Sequence, residues 1–180
     1  MAEAFISKQT ASGTATISFT SGIDSTYSEY LFVVGGMHPA SDGVILGWQV
    51  NAAGQSGYNE SITSTNFYGQ MAESGTSGMV HISLADTYDQ AAGTSFQPLT
   101  GSVGADADQS GSGQLRLFNP AGTTFNKKWV ATSSSAVSDN TVLGLYTAGY
   151  INTASAIDEV QFKFASGNMD AGTITLYGVI

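Results

Sequence analysis

Residues Val160–Val179 read VQFKFASGNMDAGTITLYGV, and this stretch decides the fold class. Its first part alternates apolar Val160, Phe162 and Phe164 with polar residues, and its last part alternates apolar and polar residues in the same way. A period of two residues is the signature of a β-strand with one buried face. The residues between the two parts, Ser166–Gly172, are rich in Gly, Asn and Asp, which favour turns. The segment therefore predicts two antiparallel strands that pair as a hairpin across this turn.

The same period recurs upstream, and clusters of Gly, Ser, Asn and Asp separate the runs. Of these runs, the continuously apolar Tyr30–Val34 predicts a central strand, and the polar-rich Ile62–Tyr68 predicts an edge strand. About ten short strands without intervening helices predict an all-β fold of two antiparallel sheets packed as a sandwich, most simply a jelly roll. Besides the two C-terminal strands, the predicted strands are Ala15–Thr20, Tyr30–Val34, Val44–Val50, Ile62–Tyr68, Val80–Leu84, Gly113–Leu117, Lys127–Ala131 and Val142–Tyr150.

The composition agrees with one β-rich domain. The chain has 180 residues, and Ser, Thr and Gly together make up more than a third of them. A chain of this length fits one domain and is long enough to bury a sizeable core. The Ser- and Gly-rich stretches have the length of loops, so we predict a single β-sandwich domain over residues 13–180. Residues 1–12 are predicted to form an N-terminal arm.

Charge and cysteine content exclude several classes of partner and site. The chain has 14 acidic and 5 basic residues, which gives a net charge of −9. This balance argues against nucleic acid and against anionic membrane surfaces, both of which attract Lys and Arg. There is no cysteine, so disulfides, thiolate metal sites and a Cys nucleophile are excluded. The first residues lack the pattern of a secretory signal peptide, and no apolar run has the length of a membrane span.

Residues with catalytic chemistry do not assemble into a recognisable motif. His38 lies in a turn cluster and His81 in a predicted strand, and no Gly-x-Ser-x-Gly context accompanies them. No phosphate-binding loop of the Gly-x-x-x-x-Gly-Lys type occurs. Asp158 and Glu159 are adjacent, so on a strand they point to opposite faces. We therefore expect a protein that is not an enzyme and that has no cofactor.

Two weak binding sites remain in the sequence. Asp106 and Asp108 are calcium candidates, but calcium needs more oxygen ligands than this loop supplies, so a solvated acidic loop is the favoured interpretation. Tyr58, Phe67 and Tyr68 lie near loops or in the polar-rich strand, where a ring can stack on a sugar. Of these, Tyr58 is the candidate glycan contact, although a loop aromatic packed on its surroundings is the simpler interpretation. In contrast, Trp48 and Trp129 follow the alternating pattern of the core positions, so both are predicted to be buried in the core.

The C-terminal segment Val160–Val179 resembles the ending of small virion proteins of tailed bacteriophages, especially marine and cyanobacterial phages. There an I/V-x-F … SGN-x-x-x-GT-x-x-LYG-V/I pattern recurs. The segments Ile17–Tyr27 and Asp106–Pro120 share the likeness. The resemblance implies a non-enzymatic structural protein of the virion that is synthesised in the host cytoplasm. It brings no catalytic residue with it.

The expected role is a capsid decoration (cement) protein on the particle surface. Its expected partner is the major capsid protein, and its expected state is a homo-oligomer, with a trimer fitting the symmetry of capsid sites. The alternative is a carbohydrate- or receptor-binding module at the tail tip that contacts a host surface glycan; several exposed aromatic rings beside Asp or Asn would favour it. A polysaccharide lyase or hydrolase on the same fold is the least favoured hypothesis, because no acid–base pair is evident.

Overall fold

The computed structural model describes residues 2–75 and 82–180. These residues form β-strands and no helix, so none of them belongs to a helix that would span a membrane. His81, Met79 and Val80, which belong to or adjoin a predicted strand, lie outside the described residues. The strands are β1 (Glu3–Thr10), β2 (Ile17–Phe19), β3 (Glu29–Pro39), β4 (Val44–Ala52), β5 (Ile62–Ala72), β6 (Ile82–Ser83), β7 (Gln97–Val103), β8 (Gly111–Phe118), β9 (Lys127–Val137), β10 (Thr141–Ile151), β11 (Ile157–Phe164) and β12 (Met169–Val179).

The strands form two antiparallel sheets. The larger sheet has eight strands in the order β1-β12-β3-β8-β9-β10-β5-β6, and the smaller has four in the order β2-β11-β4-β7. The predicted all-β architecture of two antiparallel sheets is therefore confirmed. The central position predicted for Tyr30–Val34 is also confirmed, since β3 pairs with β12 on one side and β8 on the other. The polar-rich strand β5 lies next to the edge and has only the two-residue β6 beyond it.

Aromatic side chains fill the space between the sheets. The rings of Trp48 and Trp129 meet edge to face with centroids 5.0 Å apart, and both side chains are fully buried, as their sequence positions predict. Phe19, Phe32 and Phe162 form a second aromatic group, with centroid distances of 5.4 to 6.2 Å. Burial of each such side chain stabilises the fold by about 1.5–3 kcal/mol. This core is why the alternating residues of the sequence fold as a sandwich.

The C-terminal segment differs from the predicted hairpin. β11 pairs with β2 and β4 in the smaller sheet, whereas β12 pairs with β1 and β3 in the larger one. The two strands therefore lie in different sheets, and the chain crosses between the sheets at residues 165–168. The physical reason is that each strand has an apolar face, and the two faces pack into the core from opposite sheets, with Phe162 of β11 and Leu176 of β12 fully buried.

The first residues also differ from the prediction. Residues Glu3–Thr10 form β1, which pairs with β12 along its length from Glu3↔Val179 to Thr10↔Thr173. The segment predicted as an arm is thus an edge strand of the larger sheet. The edge position explains the misleading signal: β1 buries little side-chain surface, so its sequence lacks a strong apolar alternation.

A loop covers the inner face of the larger sheet where the smaller sheet ends. Tyr88, in the loop between β6 and β7, is buried against Leu143 and Leu145 of β10. Its ring meets that of Tyr68 edge to face at a centroid distance of 5.7 Å. Gln97 at the start of β7 ties the same loop down, because its amide donates to the carbonyl of Tyr88 at 2.9 Å. Within residues 2–75 and 82–180, no loop covers the opposite face of β5, β9 and β10 in this way.

Candidate functional site

We call the face of the larger sheet that is turned away from the smaller sheet the outer face. Its most distinctive feature is a pair of aromatic rings, Phe67 on β5 and Tyr146 on β10. The two residues are directly paired across the strands, and their rings are stacked with centroids 4.7 Å apart and planes inclined by 6°. Phe67 is 45% exposed and Tyr146 is 49% exposed. We call this pair the aromatic ridge.

Strand alternation places the ridge where it is. Asn66 beside Phe67, and Leu145 and Thr147 beside Tyr146, are buried. Because successive side chains of a strand point to opposite faces, burial of these neighbours on the inner face turns both rings outward. The resulting surface holds two large apolar side chains exposed side by side, which is more than a scattered surface residue and indicates an interaction site.

A shallow apolar depression lies on one side of the ridge. It has a volume of about 230 Å³, and its walls are Tyr146 and Phe67 on one side and Val130, Ala148 and Thr65 on the other. Val130 is 39% exposed although it is branched and apolar. The depression therefore offers a surface on which an apolar face of a ligand can pack beside a ring.

A larger and more polar depression lies on the other side of the ridge. It has a volume of about 430 Å³ and is lined by the hydroxyls of Ser112 and Ser134, by the apolar Met71 and Val142, and by residues of three surrounding loops. The charged residues that line it are Glu73 and Asp108, both acidic and both exposed. Asn140, in the turn between β9 and β10, adds an amide at the rim.

The rim of this polar depression is held by hydrogen bonds. Gln109 is buried, and its side-chain amide donates to the carbonyl of Val137 at 3.2 Å while its side-chain oxygen accepts from the Asp106 amide at 3.2 Å. The Nδ1 atom of His38 lies 2.8 Å from the Gln109 carbonyl oxygen. The Glu73 amide donates to the Asn140 carbonyl at 2.9 Å. The loops around the polar depression are thus fixed to the sheet.

A row of small residues crosses the strands between the polar depression and the ridge. Ser112, Ser134, Gly144 and Gly69 are successive partners in the register of β8, β9, β10 and β5. A Cβ atom built on Gly144 would have its nearest neighbours at 3.9 and 4.0 Å, and the backbone there is not left-handed. The fold therefore does not require glycine at position 144. The missing side chain leaves the surface low beside the ridge, and a glycine within a strand often marks a close approach by a ligand.

The residues predicted as sites lie apart from the ridge, with one exception. Asp108 lines the polar depression. The backbone carbonyl of Asp106 accepts a hydrogen bond from the Gln109 amide within the same loop. Among residues 2–75 and 82–180 no group of three or more His, Asp or Glu side chains is arranged to hold a metal ion.

Tyr58 lies beside the smaller sheet, away from the outer face. Its hydroxyl donates to Glu159 Oε2 at 2.9 Å, and its amide donates to Asn51 Oδ1 at 2.7 Å. Burial, and then the hydrogen bond to Glu159, raises the pKa of the Tyr58 phenol. Tyr58 is therefore hydrogen-bonded to β4 and β11 of the smaller sheet.

Tyr146 is a residue of the candidate site that the sequence analysis does not single out. It belongs to the strongly apolar run Val142–Tyr150, which indicates burial and gives no reason to single out one ring. The available signal was parity: Val142, Tyr146 and Tyr150 are spaced by four residues and share one face with Gly144 and Ala148. The sequence places Phe67 in the polar-rich strand, but it gives no sign of a partner ring on the neighbouring strand.

Comparison with protein-family models, with curated proteins and with solved structures found no match to this chain.

Proposed function

We propose that this chain is a non-enzymatic structural protein of a tailed-bacteriophage particle, with capsid decoration as its role. The observation that carries the proposal is the resemblance of Val160–Val179 to virion proteins. In the fold this segment supplies β12 and most of β11, each of which lies between two other strands of its sheet. The resemblance therefore concerns the centre of the fold, and a match there reflects the whole architecture rather than an exchangeable surface loop.

The strand order supports a jelly-roll interpretation. In a jelly roll one sheet contains the first, eighth, third and sixth strands, and the other contains the second, seventh, fourth and fifth. The orders β1-β12-β3-β8 and β2-β11-β4-β7 follow this scheme, with β5, β6, β9 and β10 as additions along one edge. Viral capsid domains and lectins both use jelly rolls, so the architecture agrees with a particle protein and also with sugar binding.

The partner in this role is the major capsid protein, and the copies associate as a homo-oligomer, with a trimer matching the symmetry of a capsid site. Only 11% of the residues are charged, so the interface depends on hydrogen bonds and shape more than on ion pairs. Moderate salt, which screens ion pairs, is therefore expected to leave the protein on the particle. Release at moderate salt would contradict this interface.

Quantitative mass spectrometry of purified particles tests the proposal. Hundreds of copies in a simple ratio to the major capsid protein are expected for decoration. A handful to a few tens of copies would place the protein at the tail instead. Absence from purified particles would overturn the virion role.

The second candidate function is a carbohydrate- or receptor-binding module at the tail tip. The observation that favours it is the aromatic ridge, an exposed aromatic pair on the same face as the polar depression that Asp108 and Asn140 line. A low copy number in the particle, together with binding of the isolated protein to host surface glycan, is the expected result for this role.

A further inference from the structure

We infer that the outer face binds a neutral oligosaccharide, which lies across the aromatic ridge from the polar depression to the apolar one. The inference deepens the second candidate function and rests on it for its biological role. The site consists of Tyr146, Phe67 and the two depressions, and Tyr58 is not part of it.

The ridge supplies the apolar half of sugar recognition. A sugar ring presents C–H groups on its faces, and these pack on aromatic rings, which combine a large contact area with few rotatable bonds. Phe67 and Tyr146 are each held by the other and by strand pairing, so little conformational entropy is lost when a ligand binds. The apolar depression next to Tyr146 gives the same ligand a second surface at Val130 and Ala148.

The polar depression supplies the other half. Sugar hydroxyls both donate and accept hydrogen bonds, and they need partners that do the same. Ser112 and Ser134 offer hydroxyls, Asn140 offers an amide, and Glu73 and Asp108 offer carboxylate acceptors. An apolar platform next to a few convergent polar groups is the usual composition of a small-ligand site.

Charge at the polar depression favours a neutral ligand there. The charged residues that line this depression, Glu73 and Asp108, are acidic, and the whole chain carries a net charge of −9. Two basic residues lie at the apolar end of the same face: Arg116, which is paired with Glu29, and Lys128, whose ammonium lies 4.5 Å from the centre of the Tyr150 ring. The acidic end repels uronic-acid or sulfated polymers, whereas a neutral hexose or N-acetylhexosamine chain meets no such barrier.

The local carboxylates argue against a second copy of this chain as the occupant of this face. Association of two copies here would remove the carboxylates of Glu73 and Asp108 from water. Taking charged groups out of water is costly unless each is paired. An oligosaccharide leaves these carboxylates partly hydrated and supplies hydroxyl donors to them.

The dimensions fit a chain of sugars rather than a single one. Val142 in the polar depression and Ala148 in the apolar one are six residues apart on β10, which corresponds to roughly 20 Å along the strand. Tyr146 lies between them, and Gly144 leaves the surface open between Val142 and the ring. A ligand of several sugar units can therefore contact both depressions and the ridge together.

Isothermal titration calorimetry with cellohexaose, maltohexaose and chitohexaose, and with polygalacturonate as an anionic probe, tests the inference. We expect at least one neutral hexasaccharide to bind and polygalacturonate not to bind. Tyr146→Ala should weaken binding about tenfold or more, because loss of an aromatic anchor in the centre of a contact surface is among the most costly truncations. Gly144→Val should also weaken binding, since its branched side chain would occupy the low surface beside the ridge.

Phe5→Ala is the matched control, because Phe5 is an exposed aromatic residue on strand β1, several strands away from the ridge. The Phe5→Ala variant should bind the neutral hexasaccharide with the same affinity as the unchanged protein. The inference is overturned if none of the neutral hexasaccharides binds at millimolar concentration, or if Tyr146→Ala and Gly144→Val bind as well as Phe5→Ala does. It is also overturned if sedimentation shows self-association that Tyr146→Ala abolishes.

These outcomes are separate from those of the particle experiment. Loss of sugar binding in the isolated protein would leave the copy number in purified particles, and thus the virion role, unaffected. Absence from particles would likewise leave the calorimetric result standing.

Discussion

Two glycines of β10 should respond in opposite ways to the same substitution. Gly144 faces outward, where a Cβ atom would have its nearest neighbour at 3.9 Å. Gly149 faces inward, where a Cβ atom would lie 2.3 Å from the Thr63 carbonyl oxygen and 2.9 Å from Cζ2 of Trp129. We therefore expect Gly149→Ala to destabilise the protein and Gly144→Ala to leave it as stable or make it more stable.

The size of the difference follows from these contacts. A methyl group forced into a well-packed core typically costs 1–3 kcal/mol, and at Gly149 the colliding atoms include backbone and a buried indole, which move only together with β5 or the core. Alanine in place of glycine within a strand gains roughly 0.5–1 kcal/mol where there is room for the methyl group. The two variants should therefore differ by about 2 kcal/mol or more in the free energy of unfolding.

Urea denaturation followed by tryptophan fluorescence measures this difference, because both tryptophans are buried in the core. For a domain of this size, 2 kcal/mol corresponds to a difference in Tm of roughly 4–8 °C, which thermal unfolding would show independently. Equal midpoints for Gly144→Ala and Gly149→Ala would refute the assignment of the two faces of β10. A destabilised Gly144→Ala would refute the open surface on which the oligosaccharide site depends.

Three further predictions concern stability. Deletion of residues 2–10 should lower the free energy of unfolding in urea, because it removes β1 and exposes the edge of β12; unchanged stability would mean that this segment is an arm after all. The raised pKa of Tyr58 means that its neutral phenol stabilises the fold fully below pH about 10 and less above it. The stability advantage of the unchanged protein over Tyr58→Phe should therefore shrink as pH rises through this range, and a constant difference would contradict the raised pKa that burial and the hydrogen bond to Glu159 produce. Burial lowers the pKa of Lys127, whose ammonium donates to the carbonyl of Phe125 at 2.9 Å. The unfolded chain then binds the proton more tightly, so stability relative to Lys127→Met should rise as pH approaches about 10.4, and a fall would contradict the burial.

The sequence predicted those strands whose side chains alternate sharply. The alternation of Val160, Phe162 and Phe164 and the continuous run Tyr30–Val34 both correspond to strands of the core. β7 was not predicted, because Gln97, Pro98 and Gly101 do not resemble a buried strand. Gln97 and Thr100 are nevertheless buried, and the Gln97 side chain is hydrogen-bonded to the Tyr88 carbonyl of the neighbouring loop and to the Ser64 hydroxyl of β5.

Pairing between strands was less accessible to sequence reasoning than the strands themselves. The turn at Ser166–Gly172 has the composition of a hairpin, and local composition cannot distinguish a hairpin from a crossing between sheets. The candidate site depends on the same missing information. Phe67 and Tyr146 are almost eighty positions apart, and only the register of β5 against β10 brings their rings together.

The crossing between β11 and β12 has a consequence for how the protein acquires its structure during synthesis. β11 pairs with β2, and β12 pairs with β1, so each sheet joins the beginning of the chain to its end. The side-chain amide of Gln161, for example, donates to the hydroxyl of Ser18, 143 positions earlier. Until a ribosome has made β11 and β12, β3 lacks its partner β12 and β4 lacks its partner β11, and both expose open edges and apolar faces. Folding is then delayed until these two strands have emerged, and it proceeds slowly, as expected for non-local β pairing. The waiting nascent chain is the form most exposed to aggregation and to chaperones.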